Sequence, residues 1–71
     1  MKVFVNGWTY EGGGGFNWYL SEQDRDAAHV EELKNEAGFA EAQWKAYSFD
    51  ADVFSLDNAN AEIDAIFDSM S

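Results

Sequence analysis

The first ten residues set apolar groups on both sides of an extended chain. In Lys2-Val3-Phe4-Val5-Asn6-Gly7-Trp8-Thr9-Tyr10, Val3 and Val5 fall on one face and Phe4, Trp8 and Tyr10 on the other, because side chains alternate along a strand. β-Branched and aromatic types dominate and no helix cap is present, so residues 2–10 are predicted to be a strand. Glu11-Gly12-Gly13-Gly14-Gly15 follows. Glycine enters positive-φ backbone at little cost, which predicts a flexible turn over these five residues. Residues 16–20 then alternate again, with Phe16, Trp18 and Leu20 opposite Asn17 and Tyr19, and complete an antiparallel hairpin.

The period changes after Leu20. Ser21, ahead of Glu22-Gln23-Asp24, offers a side-chain oxygen to the first free N–H groups and sets acids at the positive end of the helix dipole. Ala27, Val30, Leu33 and Ala37 recur at three- and four-residue spacing. They are the expected buried stripe of a helix over 22–37. Gly38 is the expected left-handed stop, with Phe39 packing back on Leu33 or Lys34. Residues 40–46 admit a helical extension, but the aromatic alternation of residues 43–49 favours a third strand. From Ser55 helical spacing returns, with Leu56, Ala59, Ile63, Ile66, Phe67 and Met70 on one side and Ser55 or Asp57 as the cap. The expected fold is α+β: a small antiparallel three-stranded sheet with two helices on one face, in the order β-β-α-β-α. Residues 1–71 form one domain.

Seventy-one residues sit near the lower size limit for a core without staples, and the chain has neither cysteine nor proline. With no disulfide and no cysteine-based zinc site, packing must hold the fold. Hydrophobic residues are 46% of the chain, too many for a disordered acidic tail. Phe4, Trp8, Phe16, Trp18, Phe39, Trp44, Phe49 and Phe67 are the expected core, each ring burying roughly 150–250 Å². No long apolar leader or twenty-residue apolar run occurs, so the expected setting is the cytoplasm, without membrane contact.

Charge changes the picture most. Fourteen acids face four bases, for a net charge of −10. Self-repulsion of that size opposes compaction and exceeds what solubility requires, which points to a positively charged partner. Six acids lie in the first helix, and six more (Asp50, Asp52, Asp57, Glu62, Asp64, Asp68) lie beyond the last base, Lys45. Asp57, Asp64 and Asp68 fall at i, i+7 and i+11, one helical stripe opposite the apolar one. Carboxylates one turn apart stand about 5–6 Å from each other, a spacing comparable with that of phosphates along a strand. The candidate partner-binding residues are Asp24, Glu31, Glu32, Glu36, Asp50, Asp52, Asp57, Asp64 and Asp68. Their expected partner is the basic DNA-binding surface of another protein, met by a monomer or weak homodimer that does not itself bind nucleic acid.

The sequence offers little else. His29 is the only histidine and has the pattern of a boundary residue, without the nucleophile that a triad needs. The glycine run lacks the Lys-Ser/Thr of a phosphate loop. Asp50-Ala51-Asp52 opens like a calcium loop but places Phe54, Ser55 and Ala61 where ligands, glycine and glutamate are needed. No enzyme, cofactor or specific metal is expected.

Several segments carry a family likeness: Val3-Phe4-Val5-Asn6-Gly7, Trp18-Tyr19-Leu20, the acidic helix, Ala42-Gln43-Trp44-Lys45-Ala46-Tyr47-Ser48-Phe49-Asp50, and Phe54-Ser55-Leu56-Asp57. In this order they resemble one module of the ArdA-type antirestriction proteins, elongated acidic DNA mimics of plasmids and transposons. The chain has the length of one module, where that family has several. In size, acidity and compactness it is similar to the small phage-encoded anti-CRISPR proteins that block the DNA channel of type I effector (Cascade) complexes. The resemblance implies an inhibitor of a host defence system acting by DNA mimicry. Antirestriction, or an acidic antitoxin or nuclease inhibitor plugging a basic active site, is the alternative, and a structural phage protein is a third class.

Overall fold

The computed structural model describes residues 1–70, with side chains through Ser69. Its elements run β1 (Lys2–Tyr10), β2 (Gly13–Tyr19), α1 (Glu22–Gly38), β3 (Lys45–Asp52) and α2 (Ala59–Met70), with short 3-10 turns at Ala40–Ala42 and Leu56–Asn58. The three strands form one antiparallel sheet in the order β2-β1-β3. The α+β class and the order β-β-α-β-α are as expected.

The turn between β1 and β2 is tighter than expected. Tyr10 pairs with Gly13, so only Glu11 and Gly12 lie in the turn and Gly13–Gly15 are strand. Gly12 carries the positive φ, 105°, that closes it. Gly38 is the last residue of α1 and has no positive φ; the left-handed residue is Gln43, at 58°, after the 3-10 turn. Phe39 packs on Trp44, with ring centroids 5.9 Å apart. Ser55 precedes the second 3-10 turn without a side-chain cap bond. Glu62 holds that turn instead, accepting the Phe54 N–H at 2.8 Å and the Ser55 N–H at 3.4 Å.

The expectation of both helices on one face does not survive. Strand side chains alternate, and Val3, Val5 and Gly7 share a face with Phe16, Trp18, Tyr47, Phe49 and Ala51 by register. α2 lies on that face: Val3, Val5, Ala51, Val53, Ala59 and Ile63 form the buried cluster, with Phe16, Trp18, Phe49 and Ile66 packed against it. α1 lies on the other face, where the Arg25 guanidinium stands over Phe4, 5.6 Å from the ring centroid. The central strand is covered on both sides, and Val3, Val5, Asn6 and Gly7 are all buried. Apolar groups on both faces of β1 require this, because a single layer of helices would leave one set in water.

The core is aliphatic at its centre. Most of the rings expected to build it are half-buried around its margin, Phe39 is 55% exposed, and only Phe67 among the eight is buried. Ala59, Ile63, Ile66 and Phe67 face the sheet as their spacing requires, whereas Leu56 is exposed. Met70 lies outside the described side chains.

Gly7 is where α2 touches the sheet most closely. A Cβ there would sit 2.5 Å from Phe67 Cε2, and the ring has little freedom to retreat between Phe16 and Tyr47, whose centroids lie 6.0 and 6.2 Å away. Gly7→Ala is expected to destabilise the fold by about 1–3 kcal/mol, seen as a Tm lowered by roughly 4–8 °C per kcal/mol. An unchanged Tm in thermal denaturation would mean that α2 does not pack over Gly7 in solution.

Candidate functional site

α1 binds the sheet through its polar face. Arg25, His29, Glu32 and Glu36 fall at i, i+4, i+7 and i+11 and face inward, Arg25 buried and the others half-buried. The expected stripe of Ala27, Val30, Leu33 and Ala37 faces solvent instead, with Val30 52% and Leu33 46% exposed. Spacing alone identifies an apolar face; it does not identify what the sheet offers beneath. Here β3 offers a carboxylate and backbone polar groups, and two polar side chains of α1 answer them.

Arg25 supplies the first answer. Its Nε donates to Asp26 Oδ1 at 2.7 Å, and Nη1 donates to the Phe49 carbonyl at 3.0 Å and to Asp50 Oδ1 at 3.3 Å. Nη2 stands 3.9 Å from Glu22 Oε1. Burial works against the charge, but the hydrogen bonds and charges of Asp26 and Asp50 outweigh it and raise the guanidinium pKa above its ordinary value. The second answer comes from Glu36, whose Oε2 accepts the Ala46 N–H of β3 at 2.9 Å. β3 is an edge strand, and a carboxylate on one of its donors also blunts pairing with another chain. Between these anchors the seam is less satisfied. Asn6 Oδ1, His29 Nδ1, Glu32 Oε2 and Trp44 Nε1 are buried without a protein partner, and each such group costs about 1–3 kcal/mol when left dry.

The nine candidate carboxylates therefore divide by role and by face. Glu36 is structural, and Glu32 turns inward. Asp50 is shared between Arg25 and Lys2, the latter at 3.6 Å, and Glu31 pairs with Lys34 at 3.2 Å. Asp24 is exposed on α1, Asp52 on β3, Asp57 in the Leu56–Asn58 turn, and Asp64 and Asp68 on α2. Asp57 precedes α2, so the expected helical stripe reduces to Asp64 and Asp68, one turn apart. Among the described residues, Asp24, Asp52, Asp57 and Asp64 enter no ion pair. Because α1 and α2 flank opposite faces, these acids do not converge on one plane; they wrap the molecule. No group of three or more His, Asp or Glu among the described residues is placed to hold a metal ion.

Sequence reasoning missed one concavity. Thr9, Gly14 and Phe16 of the hairpin face Asp64, Phe67 and Asp68 of α2 across a groove of about 650 Å³. The glycine run marks its position, but by composition it reads only as a turn. No protein-family model, curated protein or solved structure matches the chain.

Replacing Arg25 by methionine keeps its bulk and removes the fork. Arg25→Met is expected to lose roughly 2 kcal/mol, the scale of a charged hydrogen bond broken in a buried setting. Lys34→Met, which breaks an exposed pair, is expected to change stability by no more than about 0.5 kcal/mol. Urea denaturation of the two variants checks this, and equal losses would place Arg25 at the surface.

Proposed function

We propose that the protein is an anti-defence inhibitor that works as a nucleic-acid decoy, occupying the basic groove where a DNA-binding defence complex receives its substrate. The observation that carries this reading is the density and exposure of uncompensated charge. The Cα trace extends 37 Å in its longest direction, and the chain carries a net −10. That is about one charge per 3.7 Å, close to the roughly 3.4 Å per charge of one nucleic-acid strand and half the density of a duplex. The match favours a groove that grips one strand, or a short stretch of backbone, over one that encloses a long duplex.

Distribution supports the same reading. Exposed carboxylates occur on both sides of the sheet, so a cleft that surrounds its substrate meets negative charge on either wall. Lysine and arginine placed to neutralise phosphates form charge-assisted bonds to carboxylates equally well. Long-range attraction speeds the encounter and is screened beyond about 8 Å at physiological salt. Within this class, the resemblance to anti-CRISPR proteins makes a type I CRISPR effector the first target to test, with a restriction enzyme second.

Immobilised protein exposed to lysate of a phage host is expected to retain a DNA-binding complex that elutes with salt or with competing duplex DNA. A folded variant carrying Asp24→Asn, Asp52→Asn, Asp57→Asn and Asp64→Asn is expected to bind roughly eight- to thirtyfold more weakly, four screened contacts of roughly 0.3–0.5 kcal/mol each. Capture of a single nuclease, indifferent to DNA, would favour the enzyme-inhibitor reading. Equal capture by the neutralised variant would remove charge mimicry as the mechanism.

A further inference from the structure

The two edges of the sheet differ. β3 carries Lys45, Asp50 and Asp52, and Glu36 covers its Ala46 N–H. β2 has none of the devices that keep an edge from pairing. No charged residue and no proline occurs from Gly12 to Ser21, although 25% of the chain is charged. Its register against β1 runs from Phe4↔Tyr19 to Tyr10↔Gly13 without a bulge. Among the described residues, only β1 bonds its backbone. Alternation fixes which groups face outward. In a two-residue hairpin the closing pair is hydrogen-bonded, and here it is Tyr10 and Gly13. Gly13, Gly15, Asn17 and Tyr19 therefore bond β1, while Gly14, Phe16 and Trp18 turn N–H and C=O to the free edge. Across β1 the same alternation turns the Ala46 N–H out of the sheet, where Glu36 receives it.

We propose that β2 pairs with β2 of a second copy of this chain, antiparallel and centred on Phe16. That register sets Phe16 opposite Phe16 and Gly14 opposite Trp18 of the other copy, so every outward donor and acceptor is met. It also sets small against large. The indole of the second copy stands beside Gly14, where the groove along the strand is open. Gly13 and Gly15 offer no such room, because Tyr10 and Trp8 of their own chain already cover them. A twofold axis makes the contact self-complementary and closed. The strands then run β3-β1-β2-β2-β1-β3, with the charged β3 strands about 24 Å apart, five spacings of roughly 4.8 Å. That is about three Debye lengths at physiological salt. Two bodies of net charge −10 meet with least repulsion at an uncharged edge. The dimer goes beyond the decoy reading and does not depend on it.

Sedimentation equilibrium of the full chain tests this, over a concentration series in about 0.01 M and about 1 M salt, where the Debye length is about 30 and 3 Å. The expected result is a mass that rises toward twice the monomer's, with a Kd at least about tenfold tighter at high salt. A decoy bound to its target has the opposite salt dependence, so the two readings succeed or fail separately. In a mixture of labelled and unlabelled chains, isotope-filtered NOEs are expected between the Gly15 Hα of one copy and the Asn17 Hα of the other, a facing pair that is not hydrogen-bonded. A monomer at every concentration in both salts would overturn the proposal. So would a dimer without that contact whose amide shifts fall at Val30 and Leu33, which would place the interface on α1.

Discussion

One guanidinium joins the two halves of this structure. Arg25 reaches from α1 to the backbone and side chain of β3, bonding the Phe49 carbonyl and Asp50 while covering Phe4. A buried charge is tolerated only when its hydrogen bonds are made, so the helix is held in the one orientation that makes them. Glu36 fixes the far end of the same face on Ala46. The orientation that satisfies both leaves Val30 and Leu33 in solvent, and an apolar stripe gives way to two specific polar anchors.

The arrangement of charge follows from that choice. With α1 anchored on the Phe4 face and α2 on the Val3–Val5 face, the helices cannot lie side by side to form one acidic plane. Carboxylates instead surround a slab that is 15 Å across in its thinnest direction. Self-repulsion is lower when ten net charges are spread around a body than when they are crowded on one side. On the proposed reading, the same spreading presents charge to a cleft from more than one direction.

Much of the fold is legible in the sequence, and the illegible parts have a common cause. β1 reads clearly because it is the central strand, with its middle residues Val3, Val5, Asn6 and Gly7 buried. α2 reads clearly because Ala59, Ile63 and Ile66 pack in the aliphatic cluster and Phe67 packs between Phe16 and Tyr47, so periodicity and burial coincide. Residues 43–49 signal a strand through aromatic alternation, but β3 begins only at Lys45, after the left-handed Gln43 and Trp44, and runs on to Asp52. α1 reads correctly as a helix and wrongly in its facing, because periodicity ranks hydrophobicity and knows nothing of Asp50 or the Ala46 N–H beneath it. Apolar groups on both faces of β1 already imply cover on both sides, a stronger signal for the layers than the helix stripes. Of the candidate site, the acidity is legible from composition alone. The roles of Glu36 and Asp50 as structural groups depend on contacts across the sheet, and the groove depends on the approach of α2 to the hairpin, neither of which leaves a local pattern.

The facing of α1 decides how charge is distributed, and a NOESY spectrum of the native protein reads it directly. The account predicts cross-peaks between the Arg25 side chain and the Phe4 ring, with none from the Val30 methyls to Phe4 or Trp8. Cross-peaks from Val30 to those rings, with Arg25 free in solvent, would contradict it and return the helices to the packing that hydrophobic spacing alone implies.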